Sequence, residues 1–328
     1  MLDLITFGHT TTDVFLAIAD ARVKCDINHK NCQICLDYAE KIPVTSFHRA
    51  IGGNAPNTAI GASRLGLSVG VVSRIGKDEN GDFVLSVLKK ERIKDLKYIC
   101  RDNFGTDYST VINFKGERTI LAFHEKRKYV FPKNAACAKW GYLSSMGEDF
   151  EEFNKKFLSW AKECGAKIGF NPGIYELKAG LPKIKSILEA SKLLVVNKEE
   201  AESLVLKGTI AVGANIKDLL MILSKLGPAI VVITDGRNGA FAYDGKEFLK
   251  MGIFPGERVE MTGAGDSFSA GVLSALVYGK DIKEALRWGA VNSASVIQKV
   301  GAIDGLLTEW QMYNALKERE ARENGSFY

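Results

Sequence analysis

Apolar and polar residues follow each other along this chain in a way that predicts strands and helices in turn. The apolar run at residues 4–8 ends in glycine and is typical of a buried strand. From residue 139 onward, continuous apolar runs such as 193–196 and 229–234 are separated by segments with helical periodicity. Because strands that are apolar throughout are buried on both faces, the pattern indicates an α/β fold with a mostly parallel sheet covered by helices.

Two stretches depart from this pattern and predict β structure outside the main sheet. Residues 14–50 are polar, contain cysteines and alternate apolar with polar positions near 42–47. Residues 108–114 and 118–123 alternate in the same way around a short turn, which predicts a hairpin. We expect both stretches to protrude from the main sheet.

Polar residues follow several predicted strands at the points where those strands end. Asp13 comes shortly after the first strand, Asn171 and Asn197 follow later strands, and Thr234 ends another. In open parallel sheets, ligands bind beyond the carboxyl ends of the strands. The sequence therefore predicts a binding site at this edge of the sheet.

The run Thr-Gly-Ala-Gly-Asp at residues 262–266 leads directly into a predicted helix over 264–278. Glycines at a helix start let backbone N–H groups approach an anion closely, and the helix dipole favours negative charge there. Asp266 then lies beside an anion site, where a carboxylate suits general-base work on a hydroxyl that receives a phosphoryl group. The alternative is an ordinary acidic residue at the start of a core helix.

Composition narrows the class of protein without naming a function. A hydrophobic content of 46% and a charged content of 25% are typical of a globular chain that buries its own core. The net charge of +5 is mild, and no basic run with interleaved aromatic residues suggests nucleic acid. With no apolar run long enough for a membrane span and no signal peptide, we expect a cytoplasmic protein whose six cysteines are free or metal-bound.

Residues 260–266 resemble the C-terminal signature of the PfkB (ribokinase-like) family of sugar and nucleoside kinases, Asp-Thr-x-Gly-Ala-Gly-Asp. This chain has Glu260 where the family usually has Asp, and Met261 where it often has Thr. Many members use that acid to help hold a monovalent cation such as K⁺. The longer Glu260 either preserves or displaces this contact.

The resemblance implies a three-layer, ribokinase-like α/β core with a central, mostly parallel sheet, plus a small β-sheet lid. We assign residues 1–13, 51–103 and 124–328 to the catalytic core, and residues 14–50 and 104–123 to the lid. A small open sheet leaves strand edges unpaired, so a homodimer through the lid is one expected assembly.

A second glycine-bearing helix entry resembles the N-terminal signature of the family. The family's substrate contacts carry over to Gly52, Gly53 and Asn57, and its sugar-hydroxyl acceptor on the first strand carries over to Asp13. Glycines allow the backbone to approach a ligand, and an Asn side chain both donates to and accepts from hydroxyls. The alternatives are a plain loop with an Asn cap and a solvated turn aspartate.

Asn197 and Glu200 match the Asn-x-x-Glu motif of the family, which implies support of Mg²⁺ and the phosphates. The same spacing also suits a capping box that needs no metal. Thr234, Gly236 and Gly239 resemble the family's nucleotide loop, and a β-turn is the alternative reading.

Asn292 lies on a helix that resembles the family's adenine-side helix. The alternative is a core helix with small residues.

A compact cysteine cluster lies outside the family motifs. Cys25, His29, Cys32 and Cys35 could close a tetrahedral structural Zn²⁺ site in the lid. The alternatives are free thiols on a β-hairpin, or a cysteine pair that oxidises on purification.

The resemblance implies an enzyme that transfers the γ-phosphoryl group of ATP to a primary hydroxyl of a sugar, as ribokinases and fructokinases do. Asp266 would act as the general base, and the amides of Gly263, Ala264 and Gly265 would hold the transferred group. A nucleoside kinase, with Phe47 or Phe123 stacked on a base, is the first alternative. A non-catalytic sensor of sugars or nucleotides is the second.

Overall fold

A computed structural model describes residues 1–26, 32–115, 117–206 and 215–323. Its strands, in chain order, are β1 (Leu2–Phe7), β2 (Thr11–Ile18), β3 (Arg22–Cys25), β4 (Cys32–Cys35), β5 (Val44–Gly52), β6 (Val69–Gly76), β7 (Ile99–Asp102), β8 (Asp107–Phe114), β9 (Glu117–Phe123), β10 (Ala138–Leu143), β11 (Lys167–Phe170), β12 (Leu193–Asn197), β13 (Ile230–Thr234), β14 (Ala240–Tyr243) and β15 (Phe248–Met251).

The helices are α1 (Asn54–Arg64), α2 (Glu79–Lys90), α3 (Phe150–Cys164), α4 (Ile174–Ala179), α5 (Leu181–Ala190), α6 (Lys198–Leu206), α7 (Ile216–Ser224), α8 (Ala264–Val277), α9 (Ile282–Val296) and α10 (Glu309–Glu323). None of these described helices is both long and apolar enough to cross a bilayer.

The large sheet has nine strands within the described residues, in the order β15-β14-β13-β12-β11-β10-β1-β6-β7. All neighbours are parallel except the pairs that β14 makes with β13 and β15. Successive residues of a strand face opposite sides, so Leu4 joins one apolar cluster and its neighbour Ile5 joins the other. Helices α1, α2, α8 and α9 cover one side, and α3, α5, α6 and α7 cover the other. The predicted three-layer α/β fold is confirmed.

A separate four-stranded sheet, here called the small sheet, has the order β5-β2-β8-β9. Asp13 on β2 lies opposite Ala50 on β5 and Ser109 on β8, so these three side chains share one face, the inner face. Phe15 and Val111 on the same face pack with Ala50 and contact Val300 of the larger part. The inner face is therefore the face that covers the body of the protein.

Helix α8 packs closely between α1 and α9 because small residues line the contacts. A Cβ added to Gly61 of α1 would lie 2.7 Å from Ala270 Cβ of α8. A Cβ added to Gly271 would lie 2.6 Å from the carbonyl oxygen of Trp288 on α9. This close packing holds the first turns of α1 and α8 side by side, and those turns carry the polar residues described below.

The prediction that the cysteines are free or metal-bound is wrong for four of them. Cys25 and Cys32 lie directly opposite each other on the antiparallel pair β3–β4 and form a disulfide. Cys137, which precedes β10, forms a second disulfide with Cys164 at the end of α3. A strand pair and a helix packed on a strand bring these sulfur atoms together, which residue spacing alone does not reveal.

The predicted zinc site gains no support. Two of its four ligands are used in the Cys25–Cys32 disulfide, His29 lies outside the described residues, and Cys35 is a free thiol. In the described ranges, no group of three or more His, Cys, Asp or Glu side chains is arranged to hold a metal ion.

Candidate active site

Asp266 lies in the first turn of α8, and both of its carboxylate oxygens accept hydrogen bonds from the first turn of α1. Asn54 Nδ2 donates to Oδ1 at 2.8 Å, and Asn57 Nδ2 donates to Oδ2 at 2.9 Å. Burial raises the pKa of Asp266, and the hydrogen bonds from Asn57 and Asn54 oppose that rise. The carboxylate is thus fixed in orientation and holds a proton more tightly than an ordinary aspartate.

The backbone before Asp266 forms a tight entry into the helix. Gly263 has a φ of 78°, and a Cβ there would lie 2.5 Å from Ala302 Cβ, so the position requires glycine. The Ala264 N–H donates to the carbonyl of Met261 at 3.3 Å. The N–H groups of Gly265 and Asp266 belong to the first turn, where a helix offers no internal acceptor. A Cβ on Gly265 would meet nothing within 4 Å, so this side of the turn is open to a ligand.

Asp13 is buried on the inner face of the small sheet, 7% exposed. Thr11 Oγ1 donates to Asp13 Oδ1 at 2.7 Å, and the Ser109 hydroxyl also hydrogen-bonds this carboxylate. Burial raises the pKa of Asp13, these hydrogen bonds oppose the rise, and the negative charges of Asp266 and Glu260 add to it. The two aspartates are therefore close enough for their charges to interact.

Two consecutive glycines make room for this arrangement. A Cβ on Gly52 would lie 2.0 Å from Asp13 Oδ2, so any side chain there would displace the carboxylate. Gly53 has a φ of 96° and immediately precedes the first residue of α1. Asn57, 4% exposed, uses its amide nitrogen on Asp266, while its Oδ1 has no hydrogen-bond partner among the described residues. The structure thus brings Asp13, Gly52, Gly53 and Asn57 together with Asp266.

Asn197 and Glu200 form the capping box that was the alternative reading of their spacing. The Asn197 N–H donates to Glu200 Oε2 at 2.9 Å, and the Glu200 N–H donates to Asn197 Oδ1 at 2.8 Å. Burial raises the pKa of Glu200, and the charges of Glu199 and Asp266 add to that rise. Glu200 is therefore also within electrostatic reach of Asp266.

The side chains of Asn197, Glu200 and Asp266 suit a Mg²⁺ ion that keeps most of its water ligands. Carboxylate and amide oxygens are suitable ligands, but no ready cluster of three or more acidic or His/Cys ligands exists in the part of the chain that the structure describes. Mg²⁺ in phosphoryl-transfer sites commonly keeps several waters and uses one or two carboxylates together with substrate phosphates. Glu200, whose charge interacts with that of Asp266, is a suitable carboxylate for such a site.

A cavity of about 140 Å³ lies between the ends of β13 and β15, the start of α8 and the side of α9. The residues of the predicted nucleotide loop, Thr234, Gly236 and Gly239, line it together with Gly265. Its other walls are mostly apolar. They include Met261 and Ala264 of the signature run, and the following residues that the sequence did not single out: Ala240, Gly252, Ile253, Phe254, Arg258, Phe268, Ala290, Ser293, Ala294 and Ile297. The cavity adjoins the open turn before Asp266.

Asn292 does not line this cavity. It is fully buried, its Nδ2 donates to the carbonyl of Ser267 at 2.8 Å, and its Oδ1 accepts from the Leu307 N–H at 3.1 Å. Both ends of the amide are thus engaged in holding α8, α9 and the following loop together. The core-helix alternative describes Asn292, and the neighbouring Ser293 and Ala294 face the cavity instead.

Phe47 and Phe123 lie on the outer face of the small sheet. Phe47 is opposite Leu16 and Phe123 is opposite Tyr108, and both partners are an odd number of residues from the inner-face positions Asp13 and Ser109. The two rings are 66% and 58% exposed. Neither could stack on a base held beside Asp13, which corrects that expectation.

Sequence reasoning missed three polar residues that hold the two aspartates: Thr11, Asn54 and Ser109. Asn54 was visible as the residue after the glycine pair, at the start of a helix. Thr11 was visible two residues before Asp13, on the same face of an alternating strand. Ser109 carried no local signal, because its partner lies on another strand.

The sequence profile of pfkB family carbohydrate kinases matches residues 16–309. Among curated proteins, the chain is 25% identical over 286 residues to an ATP-dependent 6-phosphofructokinase of Thermoanaerobacterium thermosaccharolyticum, covering 82% of this chain and 86% of that protein. It is 28% identical over 305 residues to a fructokinase of Solanum tuberosum, covering 83% and 88%.

Solved structures agree on the fold. A nucleoside kinase of Methanocaldococcus jannaschii, described as an archaeal member of the ribokinase family, superposes with a TM-score of 0.77 at 23% identity, covering 97% of this chain and 99% of that one. A ribokinase of Arabidopsis thaliana, solved with ribose and ATP, superposes with a TM-score of 0.77 at 21% identity, covering 96% and 99%.

Proposed function

Because this chain belongs to the pfkB family of carbohydrate kinases, we propose that it transfers the γ-phosphoryl group of ATP to a primary hydroxyl of a sugar, with Asp266 as the general base. Its general class, a phosphotransferase with an alcohol acceptor, follows from the family. The finer proposal is carried by the carboxylate of Asp266, which two amides orient at the start of α8, beside an open helix turn.

In this proposal, Asp266 accepts the proton of the attacking hydroxyl while the oxygen bonds to the γ-phosphorus. Its raised pKa makes it a stronger base than an ordinary aspartate. The N–H groups of Gly263, Gly265 and Asp266 stabilise the charge that develops on the phosphoryl oxygens, whereas the Ala264 N–H already donates to the Met261 carbonyl. Asp13 accepts hydrogen bonds from other hydroxyls of the sugar, which orients the acceptor.

The nucleotide occupies the cavity lined by Thr234, Gly236 and Gly239, with its apolar walls against the adenine and its phosphates toward Gly265. Mg²⁺, when bound, neutralises phosphate charge. Glu200 and Asn197 are the residues that would hold it or its waters.

We further propose that the small sheet acts as a lid that excludes water from the transferring phosphoryl group. The sequence motifs place the lid at residues 14–50 and 104–123 and the catalytic core at residues 1–13, 51–103 and 124–328. Strand β2 begins at Thr11 and β5 ends at Gly52, so the proposed lid extends to these residues and includes Asp13. The support for this proposal is that Asp13, on the inner face, is buried, and that the negative charge of Asp266 raises its pKa. A homodimer through the lid strands stays a prediction.

The test is ADP formation from Mg²⁺-ATP with a matched panel of free sugars, sugar phosphates and nucleosides. We expect a free sugar with a primary hydroxyl to give the highest kcat/KM. A response to nucleosides alone would replace the sugar proposal with a nucleoside kinase. Tight binding of an acceptor with no ADP formation would contradict the catalytic role of the site.

A further inference from the structure

Glu260 is a buried carboxylate that shapes the entry to the anion site. Its side chain is 2% exposed. Its Oε1 accepts hydrogen bonds from the Thr262 N–H at 2.9 Å and from Thr262 Oγ1 at 2.7 Å. The N–H of Glu260 itself donates to the carbonyl of Ile297 at the end of α9, at 3.1 Å. Glu260 therefore fixes the chain immediately before Gly263.

The cation that meets this carboxylate comes from the small sheet. Arg118 lies on β9, and its guanidinium is 3.6 Å from Glu260 Oε1. Arg118 is paired with Asn113, which is paired with Ala17, and these positions share the inner face with Asp13. Because a buried carboxylate without a compensating positive charge is strongly unfavourable, this contact matters for the loop that Glu260 holds.

These contacts disfavour the binding of a metal cation at the Glu260 carboxylate. Oε1 of Glu260 already receives two hydrogen bonds and faces a guanidinium. Its Oε2 is buried and has no hydrogen-bond partner in the ranges that the structure describes. One unpartnered oxygen is too few ligands for a cation site. A K⁺ ion bound there would also be repelled by the positive charge of Arg118.

We propose that the Arg118 guanidinium takes the place of a monovalent cation at Glu260, and that Arg118 is a positioning residue for the anion site. When the small sheet covers the site, Arg118 neutralises Glu260, Glu260 holds Thr262, and Thr262 sets the backbone that leads into Gly263. The enzyme is then independent of K⁺. The catalytic part of this inference depends on the proposed kinase function, whereas the cation-binding part does not.

Cation binding is tested first by thermal unfolding, which requires no acceptor. Wild type, Arg118→Ala and the control Arg22→Ala are compared in KCl and in tetramethylammonium chloride at equal ionic strength. Arg22 is a matched control because it also forms an ion pair, with Asp37, but an exposed one. Arg22 lies on β3 and Asp37 follows β4, so the pair is outside the small sheet. We expect K⁺ to raise the Tm of Arg118→Ala alone, because an ion that binds only the folded state stabilises it. A K⁺-dependent Tm in wild type would overturn the proposal, as would no K⁺ response in Arg118→Ala.

Kinetics then test the positioning role. We expect Arg118→Ala to lower kcat on the order of tenfold in tetramethylammonium chloride, with the acceptor KM within about twofold, and K⁺ to restore part of kcat. Arg118→Lys should retain more activity than Arg118→Ala, since it keeps the charge. If the arginine variants lose no kcat, the positioning role is wrong even when wild type is a proven kinase.

A double-mutant cycle with Glu260→Gln separates this role from direct contact with substrate. Once Glu260 is neutral, removing Arg118 should change kcat by no more than about twofold, because the charge to be compensated is gone. Additive losses, with the KM for ATP rising in Arg118→Ala, would mean that Arg118 binds a phosphate instead. That outcome would overturn the proposal. Wild type that makes no ADP with any acceptor would refute the kinase function and leave the unfolding test standing.

Discussion

The paired helix starts of α1 and α8 and the small sheet contribute to one site in different ways. Around Asp266, the partners are adjacent because helices with small residues pack closely, and glycines fix the backbone. The small sheet instead presents side chains from separate strands, and its edge strand β9 is exposed along its whole length. In our proposal, the helix starts carry the chemistry in short motifs, whereas the small sheet selects the acceptor mainly through contacts between separate strands.

The largest expected effect tests the helix side of this comparison. Asp266→Asn keeps the size and one hydrogen-bonding oxygen of the side chain but removes the base. We expect kcat to fall on the order of 10²–10⁴-fold, with acceptor binding nearly unchanged. Measuring ADP formation and acceptor affinity together separates the two effects, and an Asn variant with near-normal turnover would contradict the role of Asp266.

The next effect tests the junction between the helix starts and the small sheet. Gly52→Ala places a Cβ 2.0 Å from Asp13 Oδ2, so the carboxylate must move. We expect the acceptor KM to rise by about tenfold or more while the KM for ATP stays within about twofold. Gly147→Ala is the control, because its added Cβ would have no neighbour closer than 3.4 Å. Equal changes in both KM values for Gly52→Ala would show a general defect rather than a displaced Asp13.

A smaller effect concerns the pH dependence of the base. Asn57→Ala or Asn54→Ala removes a hydrogen bond that stabilises the ionised form, so the pKa of Asp266 should rise further. Because the base works only when ionised, activity is present above this pKa and is lost as pH falls through it. We expect the acidic limb of kcat against pH to move upward by roughly 0.5–1 unit in either variant. A limb that stays in place would show that it reports another group.

The last effect is on stability and leaves activity nearly unchanged, and it lies in a buried carboxylate that faces no acceptor in our proposal. Burial raises the pKa of Glu176 from 4.5 to about 7, against hydrogen bonds from the Met146 and Gly173 N–H groups. The folded protein thus binds this proton more tightly than the unfolded chain does, so stability declines as pH rises from 4.5 to about 7.

The variant Glu176→Gln cannot titrate, so this decline should shrink by about 1–3 kcal/mol when urea unfolding is followed across that pH range. Ser86→Ala, at an exposed hydroxyl that bonds only within α2, serves as the control. An unchanged slope in Glu176→Gln would assign the decline to other carboxylates.

The same contrast explains what the sequence could predict. The alternation of apolar strands and periodic helices predicted the layered sheet, because burial on both faces leaves a plain signal in residues such as those of β12 and β13. The apolar pattern did not predict the antiparallel pair β14–β15, whose strands are short. It also did not predict α10, in which the buried Met312 and Leu316 stand among many charged residues.

Local motifs placed Asp266, Asp13 and the two glycines at one site, since each motif sits at a strand end or a helix start. Contacts across the fold could not be predicted in this way. Asn54 meets Asp266 from 212 positions away, and Arg118 reaches Glu260 from a different sheet. Asn292 lies on the predicted helix, but its position in the sequence did not show that its amide hydrogen-bonds the backbone of Ser267 and Leu307 and is therefore not free for a ligand.

The measurement that tests the central claim most directly is phosphorus NMR of the reaction products, with wild type and Asp266→Asn incubated in parallel with Mg²⁺-ATP and the best acceptor. The account predicts a phosphomonoester of the acceptor that accumulates in step with ADP in wild type, and almost none in the variant. ADP with free phosphate but no phosphomonoester, or equal product from both proteins, would contradict phosphoryl transfer to the acceptor with Asp266 as the general base.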